Sequence, residues 1–139
     1  MVKVAPSLLS ANFACLKDDI EKIENGKADW LHYDVMDGHF VPLFGLNPVW
    51  LKQIKKVYSI DQDFHFMAYM TKEMLEPYFS LEPVGITIHL EAGKKKENLE
   101  ILQQIKEKGI RAGIAISPES EWEENYKRLN NLTGCIFFA

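Results

Sequence analysis

The stretch LHYDVMDGHFVP, residues 31–42, places two histidines and two aspartates in an otherwise apolar, strand-like run. Because side chains alternate across a strand, His32 and Asp34 project side by side from one face. Burying an imidazole and a carboxylate together costs several kcal/mol unless a partner charge or a metal ion compensates for it. The surrounding residues are apolar on both faces, as in the strands of a parallel sheet. We therefore predict a buried strand that presents a cation site; the alternative is a solvent-facing strand end with ordinary polar residues.

Strand-like and helical patterns alternate along the chain. Apolar strand-like runs begin near Lys3, Trp30, Gln62, Gly85, Arg111 and Gly134. Helical patterns lie between them over residues 13–25, after Pro48, over 71–79, over 99–108 and over 120–129. Such alternation, with strands that are apolar on both faces, predicts a parallel sheet with right-handed crossovers.

The predicted fold class is α/β, in the (β/α)8 TIM-barrel family, with about five βα units and a sixth strand in this chain. A doubly wound parallel sheet is the competing architecture. Two observations count against it: no GxGxxG or GxxxxGKS loop follows any strand, and the polar residues lie at the carboxyl ends of the strands, as in barrel enzymes. No low-complexity linker interrupts the pattern, so residues 1–139 are predicted to form a single domain.

Composition narrows the classes of function. The 139 residues are 47% hydrophobic and 26% charged, which is ordinary for a globular protein. The net charge of -4 argues against a nucleic-acid-binding surface, which needs basic side chains to neutralise phosphates. No run approaches the roughly 18 apolar residues of a membrane span, and the N-terminus lacks the apolar core of a signal peptide. We expect a cytoplasmic protein that binds neither nucleic acid nor membrane.

The two cysteines, Cys15 and Cys135, are isolated and show no CxxC spacing. A disulfide framework or a cysteine-only zinc site is therefore not expected. Both side chains are predicted to be buried and to behave as small hydrophobic groups.

Polar side chains gather at the predicted carboxyl ends of the strands. They are Ser7, then His32 and Asp34, then Asp63 and His65, followed by the apolar Met67, then His89 and Glu91, and finally Ser117. Because His32, Asp34 and His65 come from neighbouring strands, they are close enough to ligate one ion. Two imidazole nitrogens and one carboxylate oxygen suit Zn²⁺, Fe²⁺, Mn²⁺ or Co²⁺ better than Ca²⁺ or Mg²⁺. Two interpretations of His89 stay open, a structural hydrogen bond at a strand end or a contact with the ligands or the substrate.

Four short motifs carry a resemblance to a known family. APSLLSANF at residues 5–13 resembles the opening APSxLSADF, and residues 32–42 match the signature HxDVMDGHFVP. DFHFM at 63–67 resembles DxHLM, and HLE at 89–91 resembles HxE. With these motifs the chain resembles the N-terminal part of the D-ribulose-5-phosphate 3-epimerase family.

The resemblance implies a metal-dependent isomerase of the pentose phosphate pathway, which interconverts D-ribulose 5-phosphate and D-xylulose 5-phosphate through an enediolate. It implies one divalent ion held by His32, Asp34 and His65, with Asp34 also serving as one of two acid/base carboxylates. The implied substrate contacts are Ser7, His65, Met36 and Met67. The implied partner is a small sugar phosphate, and we expect a homo-oligomer.

One departure from the family pattern bears on the substrate. After Val41 and Pro42 the family continues with a stretch like NITFGP, whereas this chain has LFGLNP at residues 43–48. A loop of different shape could accept a different sugar. This departure leaves a second function open, that of a related 3-epimerase that acts on a six-carbon ketose phosphate such as D-allulose 6-phosphate.

A second departure lies at the end of the sequence, within the strand predicted near Gly134. Family members continue through phosphate-binding glycine loops and a second acid/base aspartate. We therefore expect a barrel truncated at its C-terminus and inactive by itself. Its two open sheet edges would make it pair with a second copy or belong to a longer polypeptide. An inactive half-barrel is the remaining alternative.

Overall fold

Five parallel strands form the centre of the structure. The computed structural model describes residues 2–120 and the backbone of residues 135–138. Its strands are β1 (Trp30–Met36), β2 (Asp61–Met67), β3 (Gly85–His89), β4 (Arg111–Ile116) and β5 (Cys135–Phe138). They lie in the order β1-β2-β3-β4-β5, and each neighbouring pair is parallel. This sequential parallel order, with a helix in each connection between β1 and β4, is that of a partial (β/α) barrel, and it confirms the predicted fold class.

Four α-helices flank these strands in the described residues. They are α1 (Leu16–Asn25), α2 (Pro48–Val57), α3 (Lys72–Phe79) and α4 (Lys95–Glu107). The start of α2 shows how local sequence sets a helix end: the Asn47 side chain accepts two backbone N–H groups, and Pro48 occupies the first turn. No helix in this part of the chain is long and apolar enough to cross a membrane. The helix predicted over 120–129 lies, apart from Ser120, outside the described residues.

The N-terminal run, predicted as the first strand, is extended but does not form a regular ladder with β1. The carbonyl groups of Val4 and Pro6 accept hydrogen bonds from the start of β1 and the residue before it. Ser7 then pairs with His32 as an isolated bridge. The ladder is irregular because Pro6 has no N–H to donate and the N–H of Val4 is bonded to the Asp29 carboxylate instead.

Helix α1 begins later than the sequence pattern predicts. Phe13–Cys15 form a short 3-10 helix, and the side chain of Asn12 accepts a backbone N–H at its start. Cys15 is exposed at this junction, so the prediction that it is buried was wrong. The residue precedes the apolar positions of α1, such as Ile20, which is 1% exposed, and therefore does not share the face that packs on the sheet. The side chain of Cys135 is outside the described part.

The hydrophobic core lies between the sheet and the helices. Leu31 and Tyr33 of β1 and Phe64 and Phe66 of β2 are fully buried in it. The two phenylalanine rings pack edge-on against Tyr78 of α3, with centroid distances of 5.4 and 4.7 Å. Burial of each such side chain contributes about 1.5 to 3 kcal/mol. Because side chains alternate, anchoring this face fixes the direction of the polar side chains on the opposite face.

Asn98 of α4 holds the segment that follows β3 by hydrogen bonds. Its side chain is 3% exposed, and its Nδ2 donates to the carbonyl oxygens of Leu90 at 2.7 Å and Gly93 at 3.4 Å. The segment held by these bonds includes the 3-10 helix Leu90–Ala92 at the carboxyl end of β3. One buried amide therefore holds the turn in which the polar residues after β3 lie.

Replacement Asn98→Ala is expected to lower the free energy of unfolding by about 1 to 3 kcal/mol, because two backbone carbonyl groups lose their buried donor. Asn25→Ala, at the exposed end of α1, is the matched control and should change it by less than about 0.5 kcal/mol. Urea unfolding followed by circular dichroism measures both. Equal losses in the two variants would contradict the assigned role.

Candidate functional site

Three of the predicted site residues converge at the polar face of the sheet. His32 and Asp34 lie on β1, and the parallel register sets Asp34 directly opposite His65 of β2. Asp34 Oδ1 lies 3.5 Å from His32 Nε2 and 3.4 Å from His65 Nδ1. One potential ligand atom from each residue lies within 4.8 Å of the others. The Asp34 side chain is only 10% exposed, so the cluster is largely withdrawn from water.

These separations fit a shared cation. An imidazolium donating directly to a carboxylate normally lies about 2.7 to 2.9 Å from it, which is shorter than either contact of Asp34 Oδ1. Ligands around a tetrahedral ion with bonds of about 2.0 to 2.1 Å lie about 3.4 Å apart. The two nitrogen–oxygen separations therefore match those around such an ion, and two nitrogens with one oxygen form a donor set that suits a transition metal.

Asp63 holds the His32 ring from behind. Its Oδ2 lies 2.8 Å from His32 Nδ1, and its Oδ1 lies 3.6 Å from Nη2 of Arg111. A carboxylate on the far nitrogen of a histidine orients the ring and, when the ring is neutral, keeps the proton on Nδ1 and the lone pair on Nε2, which faces Asp34. The sequence predicts Asp63 at a strand end and indicates no role for it. The parallel register of the strands indicates the contact, since His32 and Asp63 lie opposite each other in β1 and β2.

Ser7 contacts the carboxylate at the centre of the cluster. Its Oγ donates to Asp34 Oδ2 at 2.5 Å and accepts the backbone N–H of Leu9 at 3.1 Å. The serine thus lies at the predicted site and fixes the second oxygen of Asp34. The first oxygen remains directed at the two histidines.

The other ring nitrogen of His65 contacts a second set of polar side chains, His89 and Glu91. Its Nε2 lies 3.0 Å from Nε2 of His89, whose Nδ1 lies 3.4 Å from Oε2 of Glu91. The other carboxylate oxygen of Glu91 accepts from the backbone N–H of Ser117 and from the hydroxyl of Ser120. His89 is 4% exposed and therefore depends on these partners for its hydrogen bonds.

Asp37, the second aspartate of the opening motif, holds two loops together. Its Oδ1 accepts the backbone N–H groups of His39 and Phe40, and its Oδ2 accepts that of Tyr69 after β2. The Phe40 ring lies 4.9 Å from the His89 ring. Asp37 therefore acts on the loops at the edge of the site and not on the cluster of His32, Asp34 and His65.

The two methionines occupy matched positions beside the cluster. Met36 and Met67 are the last residues of β1 and β2 and lie opposite each other in the register. Met36 is 7% exposed and Met67 is half-buried. They give the carboxyl ends of the two strands an apolar border.

A small cavity adjoins Asp34 on the side of the loop formed by residues 43–48. It has a volume of about 140 Å³. Its lining consists of Asp34 and mainly apolar residues, namely Leu9, Phe13, Phe44, Gly45, Leu46 and Trp50. Phe44 itself is 85% exposed. The loop of residues 43–48, which departs from the family pattern, thus shares a cavity with Asp34.

The charges within the cluster are compensated. Burial disfavours the charged form of His32, but the carboxylates of Asp34 and Asp63 outweigh it and raise the pKa of His32 to about 9. Burial also tends to raise the pKa of Asp34, yet the neighbouring imidazoles of His32 and His65 and the hydrogen bond from the Ser7 hydroxyl hold that pKa well below its usual range. A proton on His32 thus supplies the positive charge that the buried carboxylate requires.

In the contacts that lead from His65 through His89 to Glu91, the imidazole of His89 is favoured in its neutral form. Burial and the nearby His65 lower the pKa of His89, although Glu91 partly offsets this. For Glu91, hydrogen bonds from Ser120 and Ser117 outweigh burial and lower the pKa of the carboxyl group. At neutral pH a neutral imidazole therefore faces an ionised carboxylate.

Comparison with protein families agrees with this geometry. The model of the ribulose-phosphate 3 epimerase family matches residues 3–137 of the chain. The chain belongs to this family. The resemblance drawn from the four motifs is therefore confirmed.

Curated relatives bear the same family name. The ribulose-phosphate 3-epimerase of Helicobacter pylori is 40% identical over 135 residues, which are 97% of this chain and 60% of that protein. The Bacillus subtilis protein of that name is 36% identical over 86% of this chain and 54% of its own length. The cytoplasmic isoform of Oryza sativa is 35% identical over 88% of this chain and 53% of its own length. The chain thus spans about half to three fifths of these relatives.

The raised pKa of His32 gives a testable pH dependence. The folded protein holds the His32 proton more tightly than the unfolded chain, whose ordinary pKa is 6.5. The resulting stabilisation is fully present below about pH 6.5 and is lost as the pH rises through about 9. An NMR titration of the imidazole resonances should give the high pKa directly.

Replacement Asp63→Asn should lower the pKa of His32 by about one unit or more, because it removes one of the two neighbouring charges. Asp61→Asn, an exposed change of the same charge on the same strand, should leave it unchanged. An Asp63→Asn variant that titrates like the parent protein would show that Asp63 does not support the proton on His32.

Proposed function

We propose that this chain provides the metal site and one acid/base carboxylate of a ribulose-phosphate 3-epimerase. The observation that supports the proposal is the His32, Asp34 and His65 cluster at the carboxyl ends of β1 and β2, in a chain of this family. In barrel enzymes this end of the strands is where the reacting groups lie. The proposed reaction interconverts D-ribulose 5-phosphate and D-xylulose 5-phosphate by proton transfer at the carbon beside the ketone.

The cofactor we propose is one divalent ion, Zn²⁺, Fe²⁺, Mn²⁺ or Co²⁺, with His32, Asp34 and His65 as ligands. When bound, it supplies Lewis acidity toward the negative charge that develops on the substrate oxygens. Asp63 supports this ligand role because it takes the far nitrogen of His32 and leaves Nε2 available.

We propose that Asp34 takes the substrate proton and returns it. Its Oδ2 is held by Ser7 and faces away from the two imidazoles, so one oxygen can ligate while the other exchanges a proton. Its lowered pKa makes it a weak base by itself. The proposal therefore requires a substrate proton made more acidic by the polarised ketone.

Ser7, His65, Met36 and Met67 are the proposed substrate contacts. The two methionines are polarisable and carry no acidic protons, so they exclude water from the reacting carbon without competing in proton transfer. Ser7 has the additional effect of orienting Asp34, since its hydroxyl bonds directly to that carboxylate.

A second candidate substrate is a six-carbon ketose phosphate such as D-allulose 6-phosphate. The loop of residues 43–48 supports it, because Phe44 and Gly45 of this loop line the cavity beside Asp34. Turnover of the two ketose phosphates by the same preparation would separate the candidates. Faster turnover of the six-carbon substrate would favour the second.

We also propose a cytoplasmic location and a homo-oligomer. The Oryza sativa relative is named as a cytoplasmic isoform, which agrees with the location. Val2 and Val4 are exposed at the open side of β1, where a second chain could cover them. Sedimentation at several protein concentrations would measure the oligomeric state, and a monomer throughout would reject association.

Metal binding provides a direct test of the ligands. Replacement His65→Gln should weaken the binding of Zn²⁺ or Co²⁺ strongly. Replacement His39→Gln, which changes an exposed histidine in the loop after β1, should not. Isothermal titration against a competing chelator measures the affinity. An anomalous-scattering map with the ion elsewhere and these three side chains turned away would overturn the assignment.

Replacement Asp34→Asn should reduce epimerase turnover more than about 100-fold in the protein that contains this chain, because general-base catalysis alone contributes about 10² to 10⁴. The substitution keeps the shape and removes both a ligand charge and a proton acceptor. Asp61→Asn is the control for loss of a carboxylate on the neighbouring strand. Near-normal turnover of Asp34→Asn would show that this carboxylate is only structural.

A further inference from the structure

We propose that Asp37 is a positioning residue: it joins the loops that follow β1 and β2, so that Phe40 and Tyr69 form an aromatic wall of the substrate pocket. This inference rests on the ketose phosphate activity proposed above. It assigns Asp37 to substrate binding, separate from the proposed metal ligands and from proton transfer.

The hydrogen bonds of Asp37 have an unambiguous direction. Its Oδ1 lies 2.8 Å from the backbone nitrogens of both His39 and Phe40, and its Oδ2 lies 2.9 Å from that of Tyr69. A backbone N–H can only donate, so both carboxylate oxygens are acceptors. Burial tends to raise the pKa of Asp37, but these backbone hydrogen bonds outweigh it and lower the pKa of the carboxyl group. The side chain is therefore an ionised acceptor at neutral pH.

The two oxygens of Asp37 act on different loops. The bonds of Oδ1 stay within the loop after β1, whereas the bond of Oδ2 reaches Tyr69, 32 positions along the chain in the loop after β2. Among the hydrogen bonds of the described residues, this last one joins the two loops. The position of one loop relative to the other therefore depends on Oδ2.

The loop after β1 is already closed on itself at its base. The N–H of Gly38 donates to the carbonyl oxygen of Leu43 at 2.9 Å, and that of Gly45 donates to Met36 at 3.1 Å. Gly38 has a φ of 70°, in the left-handed region that glycine adopts without strain. Because the base is fixed in this way, the loop can be oriented as a unit by its bond to the loop after β2.

The aromatic rings lie where a substrate would enter. The Phe40 ring packs edge-on against Tyr69 at 5.5 Å and lies 4.9 Å from the ring of His89, the last residue of β3. Phe40 is half-buried and Tyr69 is 47% exposed, so both retain surface for a ligand. The proposed substrate contacts Met36 and Met67 end the strands from which the two loops start. A sugar held at these methionines therefore lies beside the two rings.

The wall has a definite chemical character. Aromatic rings offer apolar surface to the C–H groups of a sugar and fix its orientation, and neither ring brings a charge to the reacting carbon. These contacts do not change when a proton moves on the substrate, so they stabilise the substrate and the transition state equally. Loss of such uniform binding raises KM and leaves kcat unchanged.

Replacement Asp37→Asn separates the two functions of the carboxylate. The amide oxygen keeps the two bonds to His39 and Phe40, because asparagine forms the same local turn as aspartate. The NH₂ group then takes the place of Oδ2 and, as a donor, cannot accept the N–H of Tyr69. We expect hydrogen exchange of the Tyr69 amide to become about tenfold faster or more, with the amides of His39 and Phe40 unchanged. NMR of the exchanging amides measures all three.

The kinetic effect is measured in the protein that contains this chain. Asp37→Asn should raise the KM for D-ribulose 5-phosphate about tenfold, the equivalent of about one hydrogen bond, with kcat and the Zn²⁺ affinity within about twofold of the parent. Phe40→Leu should give the same division, because it removes the ring and keeps an apolar side chain. A lower kcat or Zn²⁺ affinity with unchanged KM would overturn the assignment to substrate binding.

Asp61→Asn is the matched control, because it makes the same change at an exposed position of β2. It should alter neither the exchange of the Tyr69 amide nor KM. If the Tyr69 amide exchanges in folded Asp37→Asn as it does in the parent, Asp37 does not join the loops. If that amide changes and KM does not, the aromatic wall is rejected. A parent protein that turns over neither ketose phosphate rejects the proposed function and the wall with it, while the amide exchange still decides whether Asp37 joins the loops.

Discussion

A buried carboxylate between two imidazoles is the interaction on which the rest of this site depends. Asp34 is mostly withdrawn from water, and its charge would cost several kcal/mol without compensation. The compensation comes from His32 on the same strand and His65 on the next, which the parallel register of β1 and β2 sets beside it. A shift of this register by one residue would turn His65 to the apolar side of the sheet and leave the charge unpaired.

The surrounding network serves to keep these three side chains in one arrangement. Carboxylates lie behind both histidines: Asp63 directly on His32, and Glu91 through His89 on His65. Asn98, a buried residue of α4, bonds to the backbone on either side of Glu91. The polar face thus extends outward by hydrogen bonds until it reaches backbone groups, and each buried polar atom in the chain of contacts has a partner.

Much of the fold followed from local patterns, and the exceptions have physical causes. The strands from Gly85 and Arg111 were predicted within one residue because runs buried on both faces are distinctive, and the strand from Trp30 was predicted because its apolar residues alternate with polar ones. The N-terminal run was predicted as a strand and forms an isolated bridge, since Pro6 and the Asp29 carboxylate remove two of its N–H groups from the ladder. Cys15 was predicted to be buried from its residue type alone, and its place at a helix junction leaves it exposed.

By itself the sequence determined the α/β alternation, the family and the candidate ligands His32, Asp34 and His65, because strand periodicity and the motif at residues 32–42 are local properties. It did not determine what lies behind each ligand. The roles of Asp63, His89 and Glu91 depend on which strands are neighbours and on which nitrogen faces which oxygen. Those relations join residues 24 to 31 positions apart, including the backbone N–H of Ser117 directly after β4, and only the packed sheet brings them within hydrogen-bond distance.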